Sequence, residues 1–295
     1  MTSDLDTSEI LKKVRAIEIK TRGITNHIFA GEYHSAFKGR GMSFSEVREY
    51  SYGDDIRSID WNVTARYKKP YIKVFEEERE LTLMLLVDVS RSAFFGTRGQ
   101  FKSELITEIC AVLAFSAIKN NDKVGLILFS SEVELFIPPK KGKHHILRII
   151  RELIHHKPKG KGTNIAEGLK YFGNVIKKKS IAFLISDFMD EGFREALSIA
   201  TRKHDLTGIQ VFDIAEIDIP DVGLVRLMDA ESGQSRWVDT RDKKVRTAFR
   251  ETFRKNQKEV KSQFLRNGSD LVSVSVEGSY IKELRSFFKR RESKR

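Results

Sequence analysis

The fold is predicted most directly from residues 83–92, which have the sequence LMLLVDVSRS. Its first five residues are apolar, which is typical of a strand buried on both faces in a sheet covered by helices. Asp88 follows at once, and Ser90 and Ser92 come next at alternate positions. A carboxylate at a strand tip could be a nucleophile, a metal ligand or a helix cap, so the rest of the chain must distinguish these roles.

Apolar strands and amphipathic helices alternate after residue 81. Beyond the first strand, strands are predicted at 124–130, 133–138, 181–186, 208–215 and 270–276. Helices are predicted at 101–120, 144–156, 165–178, 194–204 and 242–267. Such alternation forms parallel β-α-β units, so we predict an α/β fold with a doubly wound, mostly parallel sheet flanked by helices, Rossmann-like in type. A tight turn before residues 133–138 indicates an antiparallel strand at the sheet edge.

The first 80 residues differ in texture from the rest. A helix is predicted at 8–21, and extended pieces at 42–50 and 71–77 lie within a polar, irregular region. We therefore predict an α+β N-terminal extension, residues 1–80, followed by the main domain, residues 81–295. The mixed charges of Gly53–Trp61 favour an ion-pair network that holds the extension to the main domain, with a partner-docking surface as the alternative.

Within the main domain, two further segments are set apart. Residues 224–239 are predicted to form an inserted hairpin that turns at Glu231-Ser232-Gly233. Residues 241–295 contain 17 lysines and arginines against 7 acidic residues, and so hold most of the net charge of +12. This basic segment is either a solvated helical face or a surface for an acidic protein, nucleic acid or anionic lipid. No aromatic stacking motif or zinc-finger spacing accompanies it, so nucleic acid is not the expected partner.

The cellular setting is inferred from three features. The single cysteine, Cys110, excludes an intramolecular disulfide and lies in apolar helical company, which suits a core position in a reducing compartment. The N-terminus has acidic residues where a signal peptide has basic ones. No window approaches about 18 uncharged apolar residues, so no membrane span is expected. We predict a cytoplasmic protein, and the oligomeric state stays open.

Chemistry is expected at the carboxyl ends of the strands, where doubly wound sheets bind ligands. The first strand delivers Asp88, Ser90 and Ser92, and the strand at 181–186 delivers Asp187. The loop before the helix at Ile165 offers Thr163 and Asn164, and Asn164 could also cap that helix. If the first strand and the strand at 181–186 are neighbours at the switch point, the three loops converge.

Two carboxylates and three hydroxyls form an all-oxygen set. Such a set suits a hard cation, Mg²⁺ first with Mn²⁺ or Ca²⁺ as alternatives, and argues against zinc. Two carboxylates only neutralise a divalent ion, so the metal would stay electrophilic. An aspartate or glutamate from a partner protein would be a suitable additional ligand.

The combination of Asp88-x-Ser90-x-Ser92, Thr163 in Gly-Lys-Gly-Thr-Asn and Asp187 in Leu-Ile-Ser-Asp-Phe resembles the metal-ion-dependent adhesion site of von Willebrand factor A domains. The resemblance implies that the three hydroxyls bind the ion directly and that the aspartates act directly or through water. It also implies a protein-interaction module without catalysis. Arg91, Asn164 and Phe188 are the residues expected to contact the partner.

The stretch at residues 40–80, RGMSFSEVREYSYGDDIRSIDWNVTARYKKPYIKVFEEERE, closely resembles the signature of a bacterial family called domain of unknown function 58. That family joins such a segment to a von Willebrand A-like domain. The resemblance implies an adaptor or chaperone partner for a MoxR-type AAA+ ATPase, with that ATPase or its client as the binding partner.

Two other functions remain as alternatives. Asp88-x-Ser90 is similar to the start of haloacid-dehalogenase phosphatases, but those enzymes need an acid/base where Ser90 stands. A Mg²⁺-dependent phosphatase or hydrolase using Asp88 is therefore the weaker interpretation. A basic scaffold that binds nucleic acid or anionic lipid is the third. The pairs His144-His145 and His155-His156 lie about 16 Å apart on one predicted helix, so they cannot share an ion and are predicted to be surface residues.

Overall fold

The computed structural model describes residues 7–25, 30–37, 42–77, 80–96, 101–160, 162–228 and 234–293. Its strands, in chain order, are β1 (Met42–Glu49), β2 (Tyr71–Glu77), β3 (Thr82–Asp88), β4 (Lys123–Phe129), β5 (Val133–Lys140), β6 (Ile181–Ser186), β7 (Asp205–Phe212), β8 (Leu224–Met228), β9 (Ser235–Asp239) and β10 (Asp270–Ser275). Its helices are α1 (Thr7–Ile24), α2 (Ala30–Phe37), α3 (Trp61–Tyr67), α4 (Lys102–Lys119), α5 (Lys143–His155), α6 (Ile165–Val175), α7 (Arg194–Lys203), α8 (Ile214–Ile217), α9 (Lys243–Arg266) and α10 (Tyr280–Ser293).

The chain divides into two compact units. One unit, the sheet unit, combines the described residues up to Ala36 with those from Thr82 onward, and the other, the small unit, consists of Phe37–Leu81. The division differs from the predicted extension of residues 1–80, because α1 packs on α4 and α5. Ion pairs join these helices at Lys20–Glu108 and Lys143–Glu18, each at 2.6 Å. The first helix therefore belongs with the sheet.

The sheet unit is built on six strands in the order β10-β7-β6-β3-β4-β5. All neighbouring pairs are parallel except β4 and β5, which form the predicted antiparallel edge. Strand β3 lies between β4 and β6, so the chain first builds outward on one side of β3 and then on the other. This reversal places the topological switch point at the tip of β3. The predicted α/β, doubly wound, mostly parallel architecture is confirmed.

Helices cover both faces of this sheet, which explains the continuous apolar strands. One face presents alternate residues such as Met84, Leu86 and Phe129 to α6, α7 and the buried side of α9. On the other face, Phe183 lies edge-to-face with Phe287 of α10 at 6.4 Å. Burying both faces of β3 fixes its register and brings Asp88 to the sheet edge.

Four helices were not predicted, namely α2, α3, α8 and α10. The apolar side of α10 is short and set among basic residues, but it buries Leu284, Phe287 and Phe288 completely or nearly so. The basic segment at 241–295 is therefore not wholly a solvated face, since α9 and α10 each bury one side against the core.

The small unit contains the antiparallel pair β1–β2, with a bulge at Phe44/Glu46, and helix α3, which Asp60 caps. Ion pairs predicted for Gly53–Trp61 are present between Arg48 and Asp54 at 2.7 Å and between Lys73 and Asp60 at 3.4 Å. Both pairs lie inside this unit, so they stabilise the small unit itself.

The inserted hairpin at 224–239 is present as β8–β9, a separate two-stranded sheet. The predicted turn at Glu231-Ser232-Gly233 lies outside the described residues. Cys110 is buried, as predicted. In the described part of the chain, no helix combines the length and apolar character needed to cross a bilayer.

Candidate metal centre

The tips of β3 and β6 are joined by side chains. The two strands are parallel neighbours, with Val87 opposite Ile185, so Asp88 and Ser186 end at the same edge. Ser186 Oγ donates to Asp88 Oδ2 at 2.6 Å. Asp88 is 2% exposed and Asp187 is 7% exposed, so two carboxylates are buried side by side. The convergence predicted for these two loops is therefore present.

The loop after Asp88 presents its two serines together. The amide of Ser90 donates to Asp88 Oδ1 at 2.9 Å, and a single 3-10 turn follows over Arg91–Phe94. This turn brings Ser90 Oγ and Ser92 Oγ to 3.0 Å from each other. Ligands at about 2.0–2.1 Å from an octahedral Mg²⁺ are about 2.9 Å apart when adjacent. The two hydroxyls thus have the spacing of neighbouring ligands, and without an ion they hydrogen-bond to each other.

Asp187 is held at the tip of β6 by a reversal of the chain. Its Oδ1 accepts from the amide of Met189 at 3.2 Å, and its backbone carbonyl accepts from Gln210 at 3.3 Å. Phe188 adopts a left-handed φ of 56°, a conformation that bulky residues rarely take. Its ring turns back into the core beside Phe193 and Phe264. Phe188 is fully buried and cannot contact a partner, so the prediction that it would is wrong.

A buried lysine, Lys102, lies among the carboxylates at the strand tips, and it was not predicted from the sequence. Lys102 Nζ is 3.0 Å from Asp187 Oδ2 and 2.6 Å from Glu216 Oε1, and the side chain is 1% exposed. Lys102 extends the buried face of α4 by one turn before Leu105 and Ile109. A lysine at the start of an otherwise apolar helix face was the available signal.

Glu216 is the third carboxylate of the cluster. It lies in the short helix α8 after β7, where its Oε2 accepts from the amide of Asp213 at 2.9 Å. Burial raises the pKa of Glu216, although the Lys102 ammonium opposes this shift. Burial lowers the pKa of Lys102, but Asp187 and Glu216 raise it by more, so the ammonium stays charged.

Asp88 has the most perturbed environment of the two strand-tip aspartates. Burial, together with the charge of Asp187, raises its pKa to about 7, against the hydrogen bonds from Ser186 and Ser90. A small cavity is lined by Asp88, Ser92, Lys102, Ser186 and Asp187 and by the apolar residues Ala93, Ile106 and Val211. Its five polar residues, together with Ser90 and Glu216, form one site, which we call the strand-tip cluster. A nearby cation would favour ionised Asp88.

Thr163 lies on the loop between α5 and α6, which is tied to the same sheet edge at two points. The amide of Asn164 donates to Ser130 O at 2.8 Å, and the amide of Ile165 donates to Asp190 Oδ2 at 2.8 Å. Asn164 Oδ1 accepts from the amide of Glu167 at 3.0 Å, so it caps α6 as one interpretation predicted. Asn164 and Arg91 are exposed, and their partner contacts stay predictions, as does the contact between Thr163 and a metal.

A further buried carboxylate, that of Glu134, positions the start of this loop. Its side chain is inaccessible and accepts from His156 Nε2 at 2.6 Å, from the amides of Lys159 and Gly160, and from Ser130 Oγ. Burial raises the pKa of Glu134, but these donors lower it to a net value below the ordinary one. His156 is therefore a structural partner of Glu134 and not a free surface residue, which corrects the prediction for it.

The other three histidines of the two pairs are partly exposed and partly buried. His144 and His155 are exposed, as predicted, whereas His145 is half-buried and its Nε2 lies 2.9 Å from Val124 O. Among the described residues, no three histidine, cysteine or carboxylate side chains are grouped as a metal site. A cation at the strand-tip cluster would therefore need serine and threonine oxygens, and the spacing of Ser90 and Ser92 fits that need.

Fold and site together define an α/β protein with a polar, carboxylate-rich site at the switch point of a mostly parallel sheet. Residues 46–259 match the protein family described as "Protein of unknown function DUF58", and the chain belongs to that family. It is 26% identical over 291 residues to "Uncharacterized protein Rv1480" of Mycobacterium tuberculosis H37Rv, which covers 97% of this chain and 91% of the relative.

Solved structures with a related shape are more distant. An aerotolerance-related membrane protein of Bacteroides fragilis shares 15% identity, with a TM-score of 0.49 over 73% of this chain and 100% of that chain. The conserved hypothetical protein BatB of Bacteroides thetaiotaomicron shares 16% identity, with a TM-score of 0.47 over 73% of this chain and 100% of that chain.

Proposed function

We propose that the strand-tip cluster binds Mg²⁺ and that the ion grips an acidic side chain of a partner protein. Ser90, Ser92 and Thr163 would hold the ion, with Asp88 and Asp187 supporting it directly or through water. Mn²⁺ or Ca²⁺ would serve as alternatives. The observation that carries the proposal is the 3.0 Å spacing of the Ser90 and Ser92 hydroxyls beside two buried carboxylates.

The charge balance of the cluster supports a divalent ion. Asp187 and Glu216 pair with one buried ammonium, that of Lys102, and Asp88 lines the same cavity as Lys102. With all carboxylates ionised, their combined charge exceeds that of Lys102 by two, and buried charges are stable only when they are paired. A divalent cation neutralises this excess, and a bound ion also favours the ionised form of Asp88.

A binding role is favoured over catalysis by the state of Asp88. Both of its carboxylate oxygens accept short hydrogen bonds, from Ser186 and from the amide of Ser90, and the side chain is buried. A nucleophilic aspartate needs an exposed oxygen and an acid/base within hydrogen-bond reach. Ser90, which occupies the acid/base position, cannot exchange protons near neutral pH, so we propose a non-catalytic module.

The partner class follows from the family resemblance, and it is the finer part of the proposal. A MoxR-type AAA+ ATPase, or a client of that ATPase, would supply the acidic side chain in the cytoplasm. Arg91 is exposed between the two serines and would meet the partner's carboxylate at the rim of the site.

Retention of a purified MoxR-type ATPase from the same organism on the immobilised protein tests this function. We expect Mg²⁺ to promote retention and a chelator to abolish it. The Ser90→Ala/Ser92→Ala variant and Asp88→Ala should each reduce retention at least about tenfold, since loss of a group that supports the metal ligands typically costs about 10–100-fold in metal affinity. Ser198→Ala, a half-buried serine on α7, serves as the control. Equal retention with and without Mg²⁺, and by all variants, would refute the proposal.

A further inference from the structure

Lys102 is a fixed positive charge inside the proposed metal site. It comes from the first turn of α4, and its ammonium lies between Asp187 of the β6 tip and Glu216 of α8. Asp187 and Lys102 line the same cavity as Asp88 and Ser92. Oδ2 of Asp187 is therefore paired with the Lys102 ammonium, although a bound metal ion would need that negative charge.

Two positive charges in one buried cluster repel each other strongly, because the low dielectric of the interior weakens screening. Lys102 cannot move into water without leaving Glu216, whose other oxygen holds the start of α8. The ammonium thus lowers the affinity of the empty cluster for a divalent ion. An anionic ligand that arrives with the ion offsets the repulsion between the ion and the ammonium.

We propose that Lys102 is a specificity-determining residue that makes divalent-ion binding depend on a carboxylate ligand. This inference rests on the proposed metal site, and it adds the residue that couples binding of the ion to binding of the partner's carboxylate. Because coupling between two ligands is reciprocal, Mg²⁺ and the carboxylate should each raise the affinity for the other by the same factor.

The test is isothermal titration of the full chain with Mg²⁺, in the presence and absence of acetate as the carboxylate probe. The informative variant is Lys102→Met/Glu216→Gln, which removes both members of the ion pair and leaves an amide oxygen to accept from Asp213. Lys102→Gln/Glu216→Gln is the second variant, in case the first does not fold.

A matched control removes a buried ion pair at the amino-terminal end of the strands, away from the strand-tip cluster. Arg291 pairs with Asp205 at the start of β7, whereas Glu216 follows the end of that strand. Arg291→Met/Asp205→Asn should lower stability in a comparable way, but it should leave Mg²⁺ affinity unchanged. A change in affinity caused only by loss of stability would appear in both variants.

Lys102 lines the cavity and contacts Asp187, whereas Glu216 does not line it, so loss of the pair removes more repulsion than attraction at the site. We therefore expect the Lys102 variants to bind Mg²⁺ about tenfold more tightly than the wild type, or more, without acetate. Acetate should enhance Mg²⁺ binding in the wild type and have less effect in these variants. Binding by the Lys102 variants alone also supports the proposal. Equal or weaker affinity in the Lys102 variants, with a wild type that binds Mg²⁺, would overturn it and leave the metal site intact. Absence of binding by every protein would overturn the metal site itself, and this inference with it.

Discussion

Ser186 Oγ donates to Asp88 Oδ2 at 2.6 Å and so joins the tips of the two strands that meet at the switch point of the sheet. The same oxygen of Ser186 accepts from the amide of Phe188 at 3.0 Å, which holds the left-handed turn after Asp187. One hydroxyl therefore fixes both carboxylates of the proposed metal site.

Ser186→Ala is expected to destabilise the fold by about 1–3 kcal/mol, the typical cost of leaving buried polar groups unpaired. The loss should be greater at pH 8 than at pH 6, because the hydroxyl stabilises the ionised form of Asp88. Urea unfolding at the two pH values measures it. Ser198→Ala is the control, and an equal loss for Ser186→Ala at both pH values would show that Ser186 does not act through the charge of Asp88.

Asp88→Asn should stabilise the metal-free protein at pH 8. The pKa of Asp88 is raised from 3.8 to about 7, so between these pH values the folded wild type keeps a proton that the unfolded chain has lost, and at pH 8 it carries a buried charge. Stability is then fully present below pH 3.8 and falls as the pH rises toward 7, by up to roughly 4 kcal/mol. The amide variant avoids this loss and should have a flatter pH profile in thermal unfolding.

Addition of Mg²⁺ should reverse the order of the two proteins. The wild type gains stability as the ion binds the folded state, whereas Asp88→Asn gains little. If Asp88→Asn is less stable than the wild type at pH 8 in chelator, the raised pKa of Asp88 is contradicted. A variant that gains as much from Mg²⁺ as the wild type would contradict its role near the ion.

Glu134→Gln should loosen the loop that carries Thr163. The charge of Glu134 strengthens its bonds from His156 and from the amides of Lys159 and Gly160, and an amide side chain cannot accept all of them. Hydrogen exchange over residues 157–164 should become faster, and Mg²⁺ affinity should fall. The control is Glu132→Gln at the exposed neighbouring turn. Faster exchange with unchanged Mg²⁺ affinity would remove Thr163 from the ligand set.

His204 should make the protein sensitive to acid. Burial lowers its pKa to about 4; its ring lies 4.3 Å from that of Phe172, and its Nδ1 lies 3.0 Å from Ser180 Oγ. The unfolded chain takes up a proton near pH 6.5, so stability is lost as the pH falls from there toward 4, by about 3 kcal/mol. His204→Phe should flatten this decline in thermal unfolding, whereas His144→Gln on the surface should leave it unchanged. A decline as steep in His204→Phe as in the wild type would rule out His204.

The strands and the carboxylates at their tips could be predicted from the sequence because their signals are local. The apolar run before Asp88 and the alternation of strand and helix predicted a mostly parallel sheet, whereas the pairing of β3 with β6 was a condition that the structure meets. Asp88 and its two serines lie within five residues of one another, so the chain itself holds them together.

Lys102 and Glu216 could not be found in the same way. Lys102 is separated from Asp187 by 85 residues and from Glu216 by 114, and each element was interpretable without the others. Phe188 was predicted to contact the partner, and only the left-handed backbone turn after Asp187 directs its ring inward. Helix α10 was missed because its basic residues outnumber the few apolar ones that it buries.

In the proposed metal site, a divalent ion lies between the hydroxyls of Ser90 and Ser92. Anomalous diffraction from crystals grown with Mn²⁺ tests it most directly. We predict a peak at the strand-tip cluster, about 2.1–2.3 Å from both oxygens, as expected for a hard cation with oxygen ligands. Crystals with no peak at this position, or with the ion elsewhere, such as beside Glu134 and His156, would contradict the account.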